Sequence, residues 1–197
     1  MIEHSKSVRQ GVKKSLMIVD MPFNTYKNKS QALKNCRKVM KETKCDGIKL
    51  EGGRNINEIV KYLHKHKIPV MGHIGITPQS VRGKFRYKGK SDIEKKNLLK
   101  DSKSLEDAGV FAIVLECVEK IASKEITESI KIPTIGIGSS NFCDGQILVT
   151  DDLLGLTDTK IKFVKKYANL KSNVRKAVKK FNLDVKKGSY PSIKYSY

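Results

Sequence analysis

Six short apolar runs, each followed by a stretch of helical period, most constrain what this chain can fold into. The runs are residues 16–19, 47–51, 69–71, 111–115, 133–138 and 146–149. Between them, apolar residues recur at spacings of three and four: Leu33, Cys36, Val39 and Met40 behind Ser30, then Ile56, Ile59, Val60 and Leu63. Leu98, Leu99, Leu105 and Ala108 repeat the pattern behind Ser91, which pairs with Glu94 as a capping box. Ile121, Ala122 and Ile126 carry the next helix, and two more are predicted near 161–168 and 174–185.

Strand–helix alternation with near-continuous apolar strands predicts an α/β fold on a parallel sheet, doubly wound or closed as a barrel. There is no P-loop, and Gly136-Ile137-Gly138 is too short a match for a dinucleotide fingerprint. Six strands are two fewer than a closed (β/α)8 barrel requires. One domain is expected over residues 1–197.

Composition narrows the function classes. At 39% hydrophobic residues the chain can build a packed core. Its apolar runs are too short to span a bilayer, and the polar first residues lack a signal-peptide core, so a soluble cytoplasmic protein with no membrane partner is expected. The cysteines at 36, 45, 117 and 143 form no C-x-x-C pair and read as free thiols. A net charge of +20 invites a nucleic-acid partner, but only six of the forty basic residues are arginine and they are scattered. Phosphate and base recognition favours clustered Arg forks, so no nucleic acid is expected.

Ligands of parallel βα folds bind at the carboxyl ends of the strands. Three runs here lead into a carboxylate: Asp20, Glu51 and Glu116. A carboxylate next to a buried run is costly unless it is solvated, paired or metal-bound. Any one of them alone could be a solvated loop residue; three on one rim point to a site. Lys49 and Glu51, two apart on a strand, share a face. They could form an interior ion pair, or Lys49 could take an anionic substrate group. Gly52-Gly53 would let backbone approach a ligand. His73 ends another strand and is expected to hydrogen-bond behind the ligands, whereas His64 and His66 fall at a helix end and are expected in solvent. Hard oxygen donors without a Cys/His set favour Mg²⁺ or Mn²⁺ over zinc.

Several stretches carry a resemblance: Asp20-Met21-Pro22-Phe23, Lys49-Leu50-Glu51-Gly52-Gly53 and Gly72-His73-Ile74-Gly75-Ile76-Thr77-Pro78-Gln79-Ser80. Phe111-Ala112-Ile113-Val114-Leu115-Glu116-Cys117-Val118, Ile132-Pro133-Thr134-Ile135-Gly136-Ile137-Gly138 and Cys143-Asp144-Gly145-Gln146-Ile147-Leu148-Val149 continue it. In this order they resemble ketopantoate hydroxymethyltransferase, also called 3-methyl-2-oxobutanoate hydroxymethyltransferase, over essentially the whole chain. The resemblance implies a (β/α)8 TIM barrel of the phosphoenolpyruvate/pyruvate type, commonly decameric, hence a homo-oligomer. It implies a transferase of the EC 2.1.2 type in pantothenate biosynthesis. The reaction passes a hydroxymethyl group from 5,10-methylenetetrahydrofolate to 3-methyl-2-oxobutanoate through an enolate stabilised by Mg²⁺. Carried over by motif, Asp20 is a metal ligand that also meets substrate, Glu51 the other metal-side carboxylate, Lys49 a substrate-binding residue and Glu116 the proton acceptor.

The sequence departs from the family pattern in four places. Met1 aligns in the helix before the family's third strand, so the first two strands, with an aspartate and a serine of the site, are not in this chain. The loop 81–90 is about two residues short. Thr150-Asp151 stands where a bulky residue and a histidine are usual, and Ser139-Ser140 where Ala-Gly is usual. The alternative expectation is a non-catalytic, N-terminally truncated remnant without a complete metal site.

Overall fold

In the computed structural model, which describes residues 1–79, 86–158 and 160–197, the apolar runs form one six-stranded parallel sheet. Its strands are β1 (Ile18–Asp20), β2 (Gly47–Glu51), β3 (Val70–Gly75), β4 (Ala112–Glu116), β5 (Thr134–Ile137) and β6 (Gly145–Gln146). Spatial order equals chain order, so every crossover moves one strand along. That order is the one a barrel uses and excludes the reversal of strand order in a doubly wound sheet. The first compact unit, Met1–Ile147, holds the sheet with α1 (Ile2–Gly11), α2 (Lys29–Thr43), α3 (Asn57–Lys65), α4 (Asp92–Ala108) and α5 (Lys120–Ser129). The second unit, Leu148–Tyr197, holds α6 (Thr150–Leu153) and α7 (Leu170–Lys186).

The two faces of the sheet differ in chemistry. Val19, Ile48, Leu50, Val70, Ile74, Ile113 and Leu115 point to the helices. There they join Ala32, Cys36, Val39, Val60, Leu63, Leu98, Leu105, Ala122 and Ile126 in one buried cluster. The alternate positions put Asp20, Lys49, Glu51, His73 and Glu116 on the other face, since register aligns Asp20 with Lys49, Glu51 with His73, and Gly75 with Glu116.

Helix ends follow the cap chemistry. Asn28 accepts a hydrogen bond from the Gln31 N–H at 2.9 Å and starts α2. Ser91 accepts from the Glu94 N–H at 3.2 Å, while the Glu94 carboxylate accepts from the N–H groups of Gly89 and Lys90, each at 3.1 Å. The Ser91 half of the expected capping box is made, while the Glu94 carboxylate accepts from the two residues before the cap instead of from the cap N–H. Gly109, at φ 95°, closes α4 in a conformation that a side chain would strain.

Two expectations are corrected. The last strand comprises only Gly145–Gln146, not 146–149, because the ladder stops once the Ile147 N–H has met the Gly136 carbonyl at 3.0 Å. Residues 161–168 are not helical despite their period. Within the second unit, the backbone N–H groups of Tyr167, Leu170 and Lys171 bond to Leu153, Leu154 and Gly155 carbonyls. Of these donors only Tyr167 lies in the segment, and its N–H serves the C-terminal Leu153 carbonyl of α6. Residues 80–85 and 159 lie outside the described residues, and with them the first half of the loop expected to be short. Among the described residues no helix is long and apolar enough to cross a membrane. All four cysteines are free thiols.

Candidate active site at the strand ends

The polar face brings the sequence-predicted residues together around one imidazole. His73 is buried on β3, between Glu51 of β2 and Glu116 of β4. Lys49 Nζ lies 2.9 Å from His73 Nδ1 and 2.7 Å from Asp20 Oδ1. An ammonium has three protons and no lone pair. Two of its protons are therefore given to Asp20 and His73, and the third is left for another acceptor. Asp20, on the edge strand β1, keeps half of its side chain in solvent. On the other edge of the ring, His73 Nε2 stands 3.1 Å from Glu116 Oε2. The ring N–H is not aimed along that line, so Nε2 has no formed hydrogen bond.

Glu51 is the buried acid of the group. Burial pushes its carboxyl pKa up, opposed by the Gln79 N–H and by the Lys49 ammonium. The Gln79 N–H donates to Glu51 Oε2 at 3.1 Å, and His73 Nδ1, 3.7 Å from Oε1, is too far to bond. Two contacts here were not anticipated from sequence. Gln79 also donates its side-chain amide to the Met21 carbonyl at 3.1 Å, tying the end of β3 to the exit of β1. The Tyr26 hydroxyl accepts from the Glu51 N–H at 3.3 Å and donates to its carbonyl at 3.4 Å. Tyr26 lies in a polar link with no periodic signal, and Gln79 follows Pro78 in a turn. Neither partner could be named without the fold.

Gly75 lets β3 and β4 close together beside this group. It sits at φ 98°, and a Cβ there would stand 2.2 Å from the Glu116 carbonyl oxygen. The departures from the family pattern are also placed. Ser139 Oγ lies 2.5 Å from Ser123 Oγ and donates to the Val118 carbonyl at 3.2 Å, fastening the β5 exit to the start of α5. Ser140 is buried and caps the turn through the Phe142 N–H. Asp151 sits in the first turn of α6, in the second unit. His64 is exposed as expected; His66 is half-buried instead, its Nδ1 2.8 Å from the Tyr62 carbonyl.

For a metal, the donor set is two carboxylates, Asp20 and Glu51, on neighbouring strands, with no thiolate in the group. Among the described residues no cluster of three or more His, Cys, Asp or Glu is gathered as a ready cage. Two carboxylates suit a magnesium ion, which keeps several waters, and not a zinc cage. The Gln79 N–H and Lys49 offset only part of the cost of burying the Glu51 carboxyl, and a cation held between Glu51 and Asp20 would offset more of it.

Fold and site together define a class: a parallel βα protein whose ionisable groups converge at the carboxyl ends of its strands, where such proteins bind small ligands. The profile of the ketopantoate hydroxymethyltransferase family matches residues 1–193, and the chain belongs to that family. A 3-methyl-2-oxobutanoate hydroxymethyltransferase of Pelagibacter ubique is 59% identical over 197 residues, covering 100% of this chain and 76% of that protein. Proteins of the same name from Clostridium botulinum and Helicobacter pylori are 49% and 48% identical. They cover 100% of this chain and 73% and 74% of their own lengths. The chain thus spans about three quarters of these relatives.

Proposed function

We propose that the chain acts as a hydroxymethyltransferase on 3-methyl-2-oxobutanoate, with 5,10-methylenetetrahydrofolate as donor, on strands of a phosphoenolpyruvate/pyruvate-type barrel. The observation that carries the reading is the arrangement of Lys49 and Glu116 on the two nitrogens of one buried imidazole. This sets a cation for a substrate carboxylate and a base for a carbon acid within one small group. The free proton of Lys49 donates to the keto-acid carboxylate. Glu116 takes the C3 proton. The C–H electron pair moves into the C2–C3 bond, and the carbonyl pair moves onto the keto oxygen. One water breaks the two C–N bonds that hold the one-carbon unit and leaves tetrahydrofolate and formaldehyde. The enolate carbon attacks the formaldehyde carbon, the keto group re-forms, and the displaced C=O pair takes up a proton to give the hydroxymethyl group. Asp20 and Glu51 would hold Mg²⁺, which when bound supplies a Lewis acid that polarises the keto oxygen.

The test is solvent deuterium exchange at C3 of 3-methyl-2-oxobutanoate with Mg²⁺, followed by proton NMR. The wild-type chain should exchange, and Glu116→Gln should slow exchange by about 10²-fold or more while still binding substrate. Lys49→Met should raise KM. Exchange at the wild-type rate by Glu116→Gln would sink the base assignment. No exchange by the wild-type chain would support a non-catalytic member of the family.

A further inference from the structure

His73 sits where the proposed chemistry needs a support that neither a substrate ligand nor a base provides. Its ring is 2% exposed, so each nitrogen must find a partner inside the protein. Lys49 Nζ approaches Nδ1 at 2.9 Å. Because an ammonium can only donate, Nδ1 must be the acceptor. The ring is then neutral, and its one proton must sit on Nε2. That N–H faces the Glu116 carboxylate, 3.1 Å from Oε2 but off the line of a formed bond. A small rotation of the Glu116 side chain, which is one-fifth exposed, would complete it. The same rotation would leave the other carboxylate oxygen free.

We infer that His73 is a positioning residue for Glu116, with Lys49 fixing the tautomer that makes it a donor. The inference rests on the proposed function for its catalytic meaning, but not for its geometry. A carboxylate that must take a carbon-bound proton has to present one oxygen at one angle. A rigid, buried N–H on its other oxygen removes the rotamers that do not. Lys49 then has two tasks: it receives the substrate carboxylate with its third proton, and it holds the imidazole with its second. Among the described residues, Gln79 and Tyr26 bond to Glu51, and His73 is the side chain that approaches the Glu116 carboxylate. The Gly75 backbone lies alongside Glu116 in register and carries no side chain to compete for it.

Two measurements test this. The first does not need activity: nitrogen-15 NMR of the imidazoles in the full chain at neutral pH. One of the four histidines, assigned by His73→Gln, should be a single Nε2–H tautomer. Lys49→Met should release it to a mixture, and Glu116→Ala should move its Nε2–H proton resonance. An Nδ1–H tautomer in the wild type, or an Nε2–H resonance that ignores Glu116→Ala, overturns the inference. The second measurement is C3 exchange. His73→Leu should lower kcat by about 10- to 100-fold with KM little changed, as expected for losing a hydrogen bond to a charged group. His73→Gln, which can still donate an N–H, should recover part of that loss. Equal losses in the two variants, or a loss confined to KM, would assign His73 to packing or to substrate binding instead. If the wild-type chain does not exchange at all, the proposed function fails while the tautomer measurement still decides this inference.

Discussion

Replacing Gly75 by alanine should unfold the edge of the site more than it disturbs anything else, and the cost can be worked from the structure. The Gly75 backbone is at φ 98°, outside the regions alanine adopts without strain. Holding it there costs about 1–3 kcal/mol. The new methyl would stand 2.2 Å from the Glu116 carbonyl oxygen and 2.7 Å from Val118 Cγ2. The first of these is backbone and cannot turn aside, so β3 and β4 must part. The Ile76 N–H to Glu116 carbonyl bond, 2.8 Å in the native sheet, is lost with them. Leaving those groups unpaired costs a further ~1–3 kcal/mol. The total, about 2–6 kcal/mol, is a large share of the ~5–15 kcal/mol by which domains are stable. Gly11→Ala is the internal control: it ends α1 in the same compact unit, has no positive φ, and meets nothing within 4 Å. It should be neutral or stabilising by up to about 1 kcal/mol. Urea titrations followed by far-UV circular dichroism read both as shifts in midpoint at unchanged slope. A Gly75→Ala midpoint within about 0.5 kcal/mol of the wild type would refute the reasoning, because the strand exits would then be free to separate.

Further outcomes follow from burial and capping. Cys36 is fully buried, and burial pushes its thiol up to about 12 from 9.0. Between those values the folded chain holds a proton that the unfolded chain has released, so stability present below pH 9 is lost as pH rises towards 12. The loss is about 1.4 kcal/mol at pH 10. Urea midpoints at pH 8 and pH 10 should therefore fall further apart in the wild type than in Cys36→Ala, and equal gaps would contradict the burial argument. Ser91→Ala should cost about 1 kcal/mol by leaving the Glu94 N–H unpaired, read as a lower thermal midpoint. Leu105→Ala, at a fully buried position of α4, should cost about 2–5 kcal/mol in the same assay. Ile121→Ala, on the exposed side of α5, should stay within about 0.5 kcal/mol.

The strands and the residues at their ends could be read from sequence because two local signals coincided there. In Ile48-Lys49-Leu50-Glu51 the alternation already separates a helix-facing pair from a polar pair, and the structure keeps that division. The same reading failed where local pattern and backbone pairing disagree. Residues 161–168 have helical period, yet the Tyr167 N–H is taken by the Leu153 carbonyl of α6. Residues 147–149 are apolar, yet pairing ends at Ile147. Period reports which faces are greasy; it does not report which carbonyl an N–H will find.

The site was readable to the same depth. Asp20, Lys49, Glu51, His73 and Glu116 announce themselves as ionisable groups in or at the ends of apolar strands. What joins them is register: Asp20 beside Lys49, Glu51 beside His73, and Glu116 drawn to His73 across the next strand pair. Lys49 shows why register matters more than residue type. In the middle of a buried strand a lysine alone would be costly. Between an aspartate and a histidine nitrogen it is paired on two sides and still has one proton to offer. The residue that looked like half of an ion pair with Glu51 is instead bonded to the neighbours on either side, and only the alignment of three strands could decide that.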